Sequence, residues 1–333
     1  MKKPRENTVI FIVGPTAIGK TSLAIKLAKK IRGEIISCDS MQVYRKMGIL
    51  SQAPAARERK SARHHLVGIL DPGREYSAAS FKKRAYPLVD SIFKRGKVPI
   101  IAGGSGLYAK ALIDGLFPSP PADLKFRAAM RDYAGRYGSE KLYAKLAKSD
   151  PGSAILIHPN DIRRVIRALE ILRSTGRTMT ELKSTTKGLK DRYCIKIFGF
   201  TAPRQKIYAK INARVDKMFR AGAVAEVKKL SGKRLSKTAA AILGLREIRA
   251  YLKGERGLDE TKEAVKMNTR RFAKRQLTWF RSDPRIEWID VTRVDSKALL
   301  SKICHYCEQM KLSSPSLRAK RSNLKVRLLR RPE

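Results

Sequence analysis

The chain of 333 residues has 43% apolar residues and carries 73 Lys and Arg against 29 Asp and Glu, a net charge of +44 at pH 7. The apolar content suffices for a large core, and no run of 18 apolar residues is present, which excludes a membrane span of ordinary length. Because so much positive charge repels itself unless a polyanion is bound, nucleic acid is the first partner to consider; a solvated basic surface is the alternative.

The four cysteines are scattered except for Cys304 and Cys307, a pattern typical of a reducing cytoplasm. The segment Cys304-His305-Tyr306-Cys307 is half of a zinc motif, but no second pair lies nearby, so we interpret it as part of a helix. The first strand is expected from Thr8, which leaves no room for a leader peptide. We therefore expect a cytoplasmic protein.

The first predicted element is a buried parallel strand at residues 9–13, and residues 22–28 follow it with helical apolar spacing. The glycine-rich segment between them consists of Gly14, Pro15, Thr16, Ala17, Ile18, Gly19, Lys20 and Thr21. Its glycines let backbone N–H groups turn toward an anion, the helix N-terminus adds partial positive charge, Lys20 adds a full charge, and the Thr21 hydroxyl can bind Mg²⁺. The segment predicts a phosphate site but leaves the phosphate compound open.

Two further turns are predicted at the same edge of the sheet, where ligands of open parallel sheets bind. A second strand at 34–38 is followed by Asp39, and a third at 98–102 ends in a glycine-rich turn that contains Ser105. Asp39 is a candidate general base, or else a structural or Mg²⁺-supporting aspartate. Ser105 is a candidate for hydrogen bonding to a substrate, or else part of a turn that only packs against the first loop.

The rest of the chain predicts mostly helices. Residues 51–63 and the pair His64-His65 are expected in loops, followed by a helix at 77–95. From 123 to about 187 we expect short amphipathic helices and no strand, including a helix at 162–174 that the segment His158-Pro159-Asn160-Asp161 caps. The apolar residues of this helix are expected to face a core, and Arg163, Arg164 and Arg167 to lie away from it. The later elements are helices at 203–230, 237–252, 260–281 and 295–310 and strands at 193–200 and 286–291.

This succession predicts an α/β protein with a parallel sheet flanked by helices and an all-helical insertion. We expect a core of residues 1–118 and 190–310, an insertion of 119–189, and a basic, disordered tail of 311–333. The helix at 260–281 is unusual because it has no acidic residue after Glu263. Its basic residues are Lys266, Arg270, Arg271, Lys274, Arg275 and Arg281. A helix that only faces solvent normally interleaves acids, so this one is predicted to contact nucleic acid.

Seven motifs occur in order within residues 8–295 and together resemble one family. They are the loop at 14–21, Asp39-Ser40-Met41-Gln42-Val43-Tyr44, His64-His65-Leu66, Tyr76-Ser77-Ala78, Gly103-Gly104-Ser105-Gly106-Leu107-Tyr108, His158-Pro159-Asn160-Asp161 and Lys274-Arg275-Gln276-Leu277-Thr278-Trp279-Phe280-Arg281. In this combination the chain resembles the bacterial tRNA dimethylallyltransferases. It departs from their pattern where Ala53 replaces a usual lysine and where Ser105 replaces a usual threonine but keeps the hydroxyl.

The resemblance implies a P-loop NTPase-like core and a reaction between two substrates. Dimethylallyl diphosphate would occupy the loop at 14–21 with Mg²⁺ on Thr21, and the acceptor would be the exocyclic amine of adenosine at tRNA position 37, next to the anticodon. Lys20 would stabilise the leaving diphosphate, Asp39 would accept the proton, and Ser105 would contact the base. Arg204 matches a further diphosphate contact, with a surface arginine as the alternative.

The resemblance also implies tRNA contacts on both the core and the insertion. They are Asp39, Ser40, Met41, Gln42 and Ser105 at the flipped base, Arg127, Arg163, Arg164 and Arg167 on the insertion, and Gly244, Arg246, Lys274, Arg275, Gln276, Trp279 and Arg281 elsewhere on the core. We expect a monomer that binds the anticodon stem-loop of tRNA and no membrane.

Two other classes of function stay open. A phosphate-loop kinase or NTPase would need a strand that ends in a Walker B aspartate, whereas the strand at 98–102 ends in Gly103-Gly104. A non-catalytic RNA-binding protein would not need Lys20, Thr21 and Asp39 together.

Overall fold

The computed structural model describes residues 7–117 and 120–312. Within them the strands are β1 Thr8–Val13, β2 Gly33–Ser37, β3 His64–His65, β4 Val98–Gly103, β5 Cys194–Thr201 and β6 Ile286–Asp290. They form one parallel sheet in the order β3-β2-β4-β1-β5-β6. Central β1 pairs with β4 on one side and β5 on the other, so that Ile10 lies opposite both Ile100 and Lys196. Residues 9–13 are all buried, as an uninterrupted apolar run requires.

The chain divides into two compact units, Met1–Ile113 with Leu189–Glu333 and Asp114–Gly188. The described helices of the first unit are α1 Lys20–Ile31, α2 Ala56–Ser61, α3 Ala78–Lys94, α4 Gly106–Asp114, α10 Arg204–Arg220, α11 Ala223–Lys228, α12 Lys237–Ala240, α13 Leu245–Leu252, α14 Leu258–Arg281 and α15 Ser296–Leu312. Those of the second unit are α5 Leu124–Tyr137, α6 Ser139–Ser149, α7 Pro151–Leu156, α8 Ile162–Thr175 and α9 Met179–Ser184.

The second unit has a small core of its own. Val165 and Ile166 of α8 share a buried cluster with Leu142 and Leu146 of α6. The predicted cap is confirmed, because the Asp161 carboxylate accepts a hydrogen bond from the Arg164 N–H at 3.1 Å at the start of α8.

The structure corrects several sequence expectations. The loop expected at 51–63 contains α2, and His64 and His65 form β3, which pairs with Ile35 and Ile36 of β2. Two residues are too few to show the alternation that identifies a strand in sequence. The helices expected at 203–230 and 237–252 are each broken into two, the second of each pair having Gly222 or Gly244 as its N-cap.

The tail predicted at 311–333 lies outside the described residues, apart from the two residues that end α15. Across the ranges that the structure does cover, no helix is both long and apolar enough to cross a bilayer.

Candidate active site

The glycine-rich segment forms the turn between β1 and α1 at the carboxyl edge of the sheet. Gly14 has a φ of 138°, and a Cβ there would lie 2.7 Å from the carbonyl oxygen of Phe200 on β5. Only glycine fits where the loop crosses the neighbouring strand so closely. The loop then ends at Gly19, the N-cap of α1, which leaves Lys20 and Thr21 in the first helical turn, on the wall of a cavity of about 940 Å³.

Two cations lie at this loop, Lys20 from the loop itself and Arg214 from a distant part of the chain. Lys20 Nζ donates a hydrogen bond to the carbonyl oxygen of Pro15 at 2.6 Å. Arg214 of α10 donates through Nη1 to Thr16 Oγ1 at 3.0 Å and through Nε to Gln52 Oε1 at 2.7 Å. Desolvation and the charge of Arg214 lower the pKa of Lys20 to about 7. A polyanion bound at the loop would favour the charged form of Lys20, so the site suits a multiply charged phosphate.

The wall of the cavity carries more positive than negative charge. Its further cations are Arg45, Lys46, Arg59 and Lys217. The acids in the wall have other partners: Glu226 accepts the N–H groups of Ile49 and Leu50 at 2.9 and 2.8 Å, and Glu58 accepts the N–H of Ala55 at 2.8 Å. The unbalanced field of this cavity therefore favours an anionic ligand.

Asp39 follows β2 and is held by its own turn. Its Oδ1 accepts hydrogen bonds from the N–H groups of Met41 at 2.8 Å and Gln42 at 3.4 Å. The neighbouring N–H of Ser40 donates to Ser105 Oγ at 3.1 Å, so the turns after β2 and β4 are joined. The side chain of Gln42 is held by Ser37 Oγ at 2.8 Å and by the carbonyl oxygen of Gln52 at 3.2 Å. The structure thus brings the residues predicted at 39–42 and Ser105 together.

Asp39 and Ser105 are not part of the cavity wall, which contains Lys20. The Asp39 charge nonetheless opposes the lowering of the Lys20 pKa, so the carboxylate acts on the loop electrostatically. The arrangement separates a cationic cavity at the loop from a carboxylate and a hydroxyl on the two adjoining turns.

α14 places two predicted tRNA-binding residues against these turns. The Gln276 side chain is buried and hydrogen bonds to the backbone of Thr16 and Gly104 at 2.8 and 2.9 Å. Trp279 is 37% exposed and packs so closely on Gly106 that a Cβ there would lie 2.0 Å from its Cδ1. Gln276 therefore faces the protein interior, contrary to the expectation of a surface contact with tRNA.

The cations of the first unit that were predicted to bind tRNA lie on α13 and α14. Arg246, Lys274, Arg275 and Arg281 are exposed, and Gly244 lies buried before α13. Lys266, which the sequence grouped with them, instead pairs with Asp216 and Glu263, each at 2.9 Å, and Arg270 hydrogen bonds to Asn212 at 2.8 Å. The acids that balance the start of this helix thus include one from another helix, which the sequence pattern of α14 alone could not show.

In the second unit, the four predicted arginines fall into two classes. Arg163 and Arg164 are exposed, and Arg164 pairs with Asp161 at 3.2 Å. Arg127 and Arg167 are half-buried and form ion pairs with the buried Glu170. Burial alone would raise the pKa of Glu170, but the hydrogen bonds from these two arginines lower it to about 2. The expectation that Arg167 points away from the core of the unit was wrong, because its guanidinium pairs with the buried carboxylate of Glu170.

The structure does not bring Arg204 to the loop. Arg204 is the exposed first residue of α10, with its guanidinium 5.9 Å from the centre of the Tyr208 ring. Ten residues of helix, about 15 Å along the axis, separate it from Arg214. The arginine at the loop is therefore Arg214, which the sequence analysis missed. A signal was available, because Arg214 falls among the buried positions Ile207, Ile211, Val215 and Met218 of α10.

The described residues contain no group of three or more His, Cys, Asp or Glu that could hold a metal ion. The oxygen of the Thr21 hydroxyl on the cavity wall is nevertheless a suitable Mg²⁺ ligand. Mg²⁺ commonly keeps several waters and binds through one protein oxygen together with substrate phosphates. The donor set at the loop therefore fits Mg²⁺ that arrives with a diphosphate.

A model of the family described as IPP transferase matches residues 42–283. The chain belongs to the IPP transferase family. Curated relatives include the tRNA dimethylallyltransferase of Halothermothrix orenii, 44% identical over 90% of this chain and 92% of the relative, and that of Carboxydothermus hydrogenoformans, 46% identical over 89% and 96%.

Solved structures of the IPP transferase family share the fold. The tRNA isopentenylpyrophosphate transferase of Bacillus halodurans is 38% identical, with a TM-score of 0.69 over 94% of this chain and 99% of that one. A eukaryotic dimethylallyltransferase described as acting on tRNA is 27% identical, with a TM-score of 0.68 over 94% of this chain and 77% of that one. The predicted family and the α/β fold with a parallel sheet are confirmed.

Proposed function

We propose that the protein transfers a dimethylallyl group from dimethylallyl diphosphate to the exocyclic amine of adenosine 37 in tRNA and releases diphosphate. The curated relatives named tRNA dimethylallyltransferase support this reaction. On this chain, the observation that supports the reaction is that two cations, Lys20 and Arg214, lie at the phosphate loop while the carboxylate of Asp39 lies on the adjoining turn.

The diphosphate side of the reaction needs stabilisation of negative charge. As the bond between C1 of the prenyl group and the diphosphate oxygen breaks, the electron pair stays on that oxygen. Lys20, Arg214 and the N–H groups of the first turn of α1 are fixed donors that would stabilise this charge without reorganising. The Thr21 hydroxyl would hold Mg²⁺ together with the diphosphate, and Mg²⁺ there would supply Lewis-acid stabilisation of negative charge.

The acceptor side needs a base. The amine of adenine is a poor nucleophile because its lone pair is delocalised into the ring, and its proton becomes acidic as the new C–N bond forms. The two backbone N–H groups that hold Asp39 both donate to Oδ1. Oδ2 would therefore accept the proton of the amine. Ser105, Ser40, Met41 and Gln42 line the same pair of turns and would contact the base after it leaves the stack.

The tRNA would be bound chiefly through its phosphates. The exposed cations Arg246, Lys274, Arg275 and Arg281 in the first unit and Arg163 and Arg164 in the second are suited to this role. Arg127 and Arg167 stay predicted contacts that would have to act while paired with Glu170. We further infer that the protein works as a monomer, which sedimentation in the absence of tRNA tests.

One assay tests the reaction. The protein is incubated with unmodified tRNA, Mg²⁺ and dimethylallyl diphosphate labelled in the prenyl group, and label is measured in the tRNA. We expect stoichiometric transfer, and no transfer to a tRNA that has guanosine at position 37. Calorimetry should also show tighter binding of dimethylallyl diphosphate than of ATP. Phosphate release from ATP without prenyl transfer would instead support a phosphate-loop NTPase.

A further inference from the structure

A single buried amide connects the two halves of the candidate active site. Gln276 Oε1 accepts the backbone N–H of Thr16 at 2.8 Å, and Gln276 Nε2 donates to the carbonyl oxygen of Gly104 at 2.9 Å. The residue is 6% exposed, and it lies 260 residues from Thr16 along the chain. Both ends of the side chain are used, so the amide fixes two backbone segments relative to each other.

Each of these segments bears on one substrate of the proposed reaction. Thr16 is in the phosphate loop, and its hydroxyl accepts the hydrogen bond from Arg214 at 3.0 Å. Gly104 precedes Ser105, whose Oγ accepts the N–H of Ser40 next to Asp39. The distance between the diphosphate and the catalytic carboxylate therefore depends on how the loop and the turn at 103–106 are held.

The contact between the Gln276 side chain and the backbone of Gly104 leaves no room for a larger residue at position 104. A Cβ on Gly104 would lie 2.1 Å from Gln276 Nε2, so the amide rests directly on the glycine backbone. An amide of this length both accepts and donates, whereas a carboxylate offers no donor and a thioether makes neither strong hydrogen bond.

Gln276 also lies on the helix that presents cations to solvent. Lys274 and Arg275 precede it on α14 and are exposed, while Gln276 points into the protein. We propose that Gln276 is a positioning residue that holds the phosphate loop in register with the Asp39 and Ser105 turns. This inference rests on the proposed function, because the register matters for bringing the prenyl carbon to the adenine amine.

The test is Gln276→Met, which keeps the length of the side chain and removes both hydrogen bonds. The matched control is Gln205→Met at an exposed position of α10. We expect the single-turnover rate of prenyl transfer to fall at least tenfold, as for loss of a buried hydrogen bond at a reacting geometry. The dissociation constant for tRNA and its salt dependence should stay those of the wild type, and the control should be unchanged.

A second measurement, amide hydrogen exchange, tests directly whether Gln276 holds the phosphate loop and the turn at 103–106 in place. In wild type the Thr16 N–H is hydrogen bonded, so its amide hydrogen should exchange slowly, and Gln276→Met should speed exchange at residues 14–19 and 103–106 only. Faster amide exchange throughout the unit would mean that Gln276 has a purely structural role, and this would overturn the inference. A variant with the wild-type single-turnover rate and wild-type exchange at residues 14–19 and 103–106 would overturn it as well. If wild type transfers no label to tRNA, the proposed function fails, whereas the exchange experiment still decides whether Gln276 holds the loop.

Discussion

The charge state of Lys20 predicts that diphosphate binding takes up a proton. Desolvation, together with Arg214, lowers the pKa of Lys20 to about 7 from its usual 10.5, whereas a bound polyanion would favour the ammonium form. At pH 8 about nine tenths of the free protein would have neutral Lys20, so binding should take up about 0.9 proton. Between pH 7 and pH 9 this alone should weaken binding about 50-fold, because affinity is lost as pH rises above the pKa of the free protein.

Calorimetry of dimethylallyl diphosphate binding in buffers of different ionisation enthalpy measures the proton uptake. The control is Lys20→Arg, since a guanidinium stays charged throughout this pH range and should take up no proton. Ionisation of the diphosphate itself, with a pKa near 6, is nearly complete by pH 7 and contributes little to this window. Equal proton uptake by wild type and Lys20→Arg at pH 8 would refute the reasoning.

Three further predictions follow from the site and the second unit. Asp39→Asn should lower the single-turnover rate by about 10² to 10⁴ while tRNA still binds, and near-normal turnover would make Asp39 structural. Lys274→Ala with Arg275→Ala should weaken tRNA binding and flatten the slope of log affinity against log salt by about 0.7 to 0.9 per lost phosphate contact, with diphosphate affinity unchanged as the check. Glu170→Gln should destabilise the protein by about 1.5–3 kcal/mol at pH 7 in denaturant unfolding, the range for a hydrogen bond to a charged group. That difference should shrink as pH falls from about 4.5 to about 2, where wild-type Glu170 protonates, and a constant difference would contradict the assignment.

The local parts of the site could be predicted from sequence because their residues are neighbours along the chain. The loop at 14–21, Asp39 and Ser105 each directly follow an apolar strand, and parallel strands bring such ends to one edge. Arg214 and Gln276 could not be placed this way, since they reach Thr16 across 198 and 260 residues. Only the tertiary packing of α10 and α14, which contact each other, decides which of their side chains point at the loop.

Arg204 shows the same limit of prediction from sequence, because it is a residue that was predicted at the site and does not lie there. The family resemblance suggested a diphosphate contact for Arg204, with a surface arginine as the alternative, but a helix turns its residues to all sides and carries them along its axis. In the structure Arg204 is exposed, and it is Arg214 on the same helix that contacts the loop. Similarly, Arg167 lay on the polar side of α8 by periodicity, and only the buried carboxylate of Glu170 explains why it folds back.

The pairing of β1 with β5 has a consequence for synthesis of the protein. Thr8 lies opposite Cys194, so the central strand has no neighbour on that side until about three fifths of the chain has left the ribosome. Contacts so distant in sequence form slowly, and until then β1 presents an open, apolar edge to which another nascent chain can add. Truncated products that end before β5 should therefore aggregate, and chaperones that shield strand edges should matter most during this interval of translation.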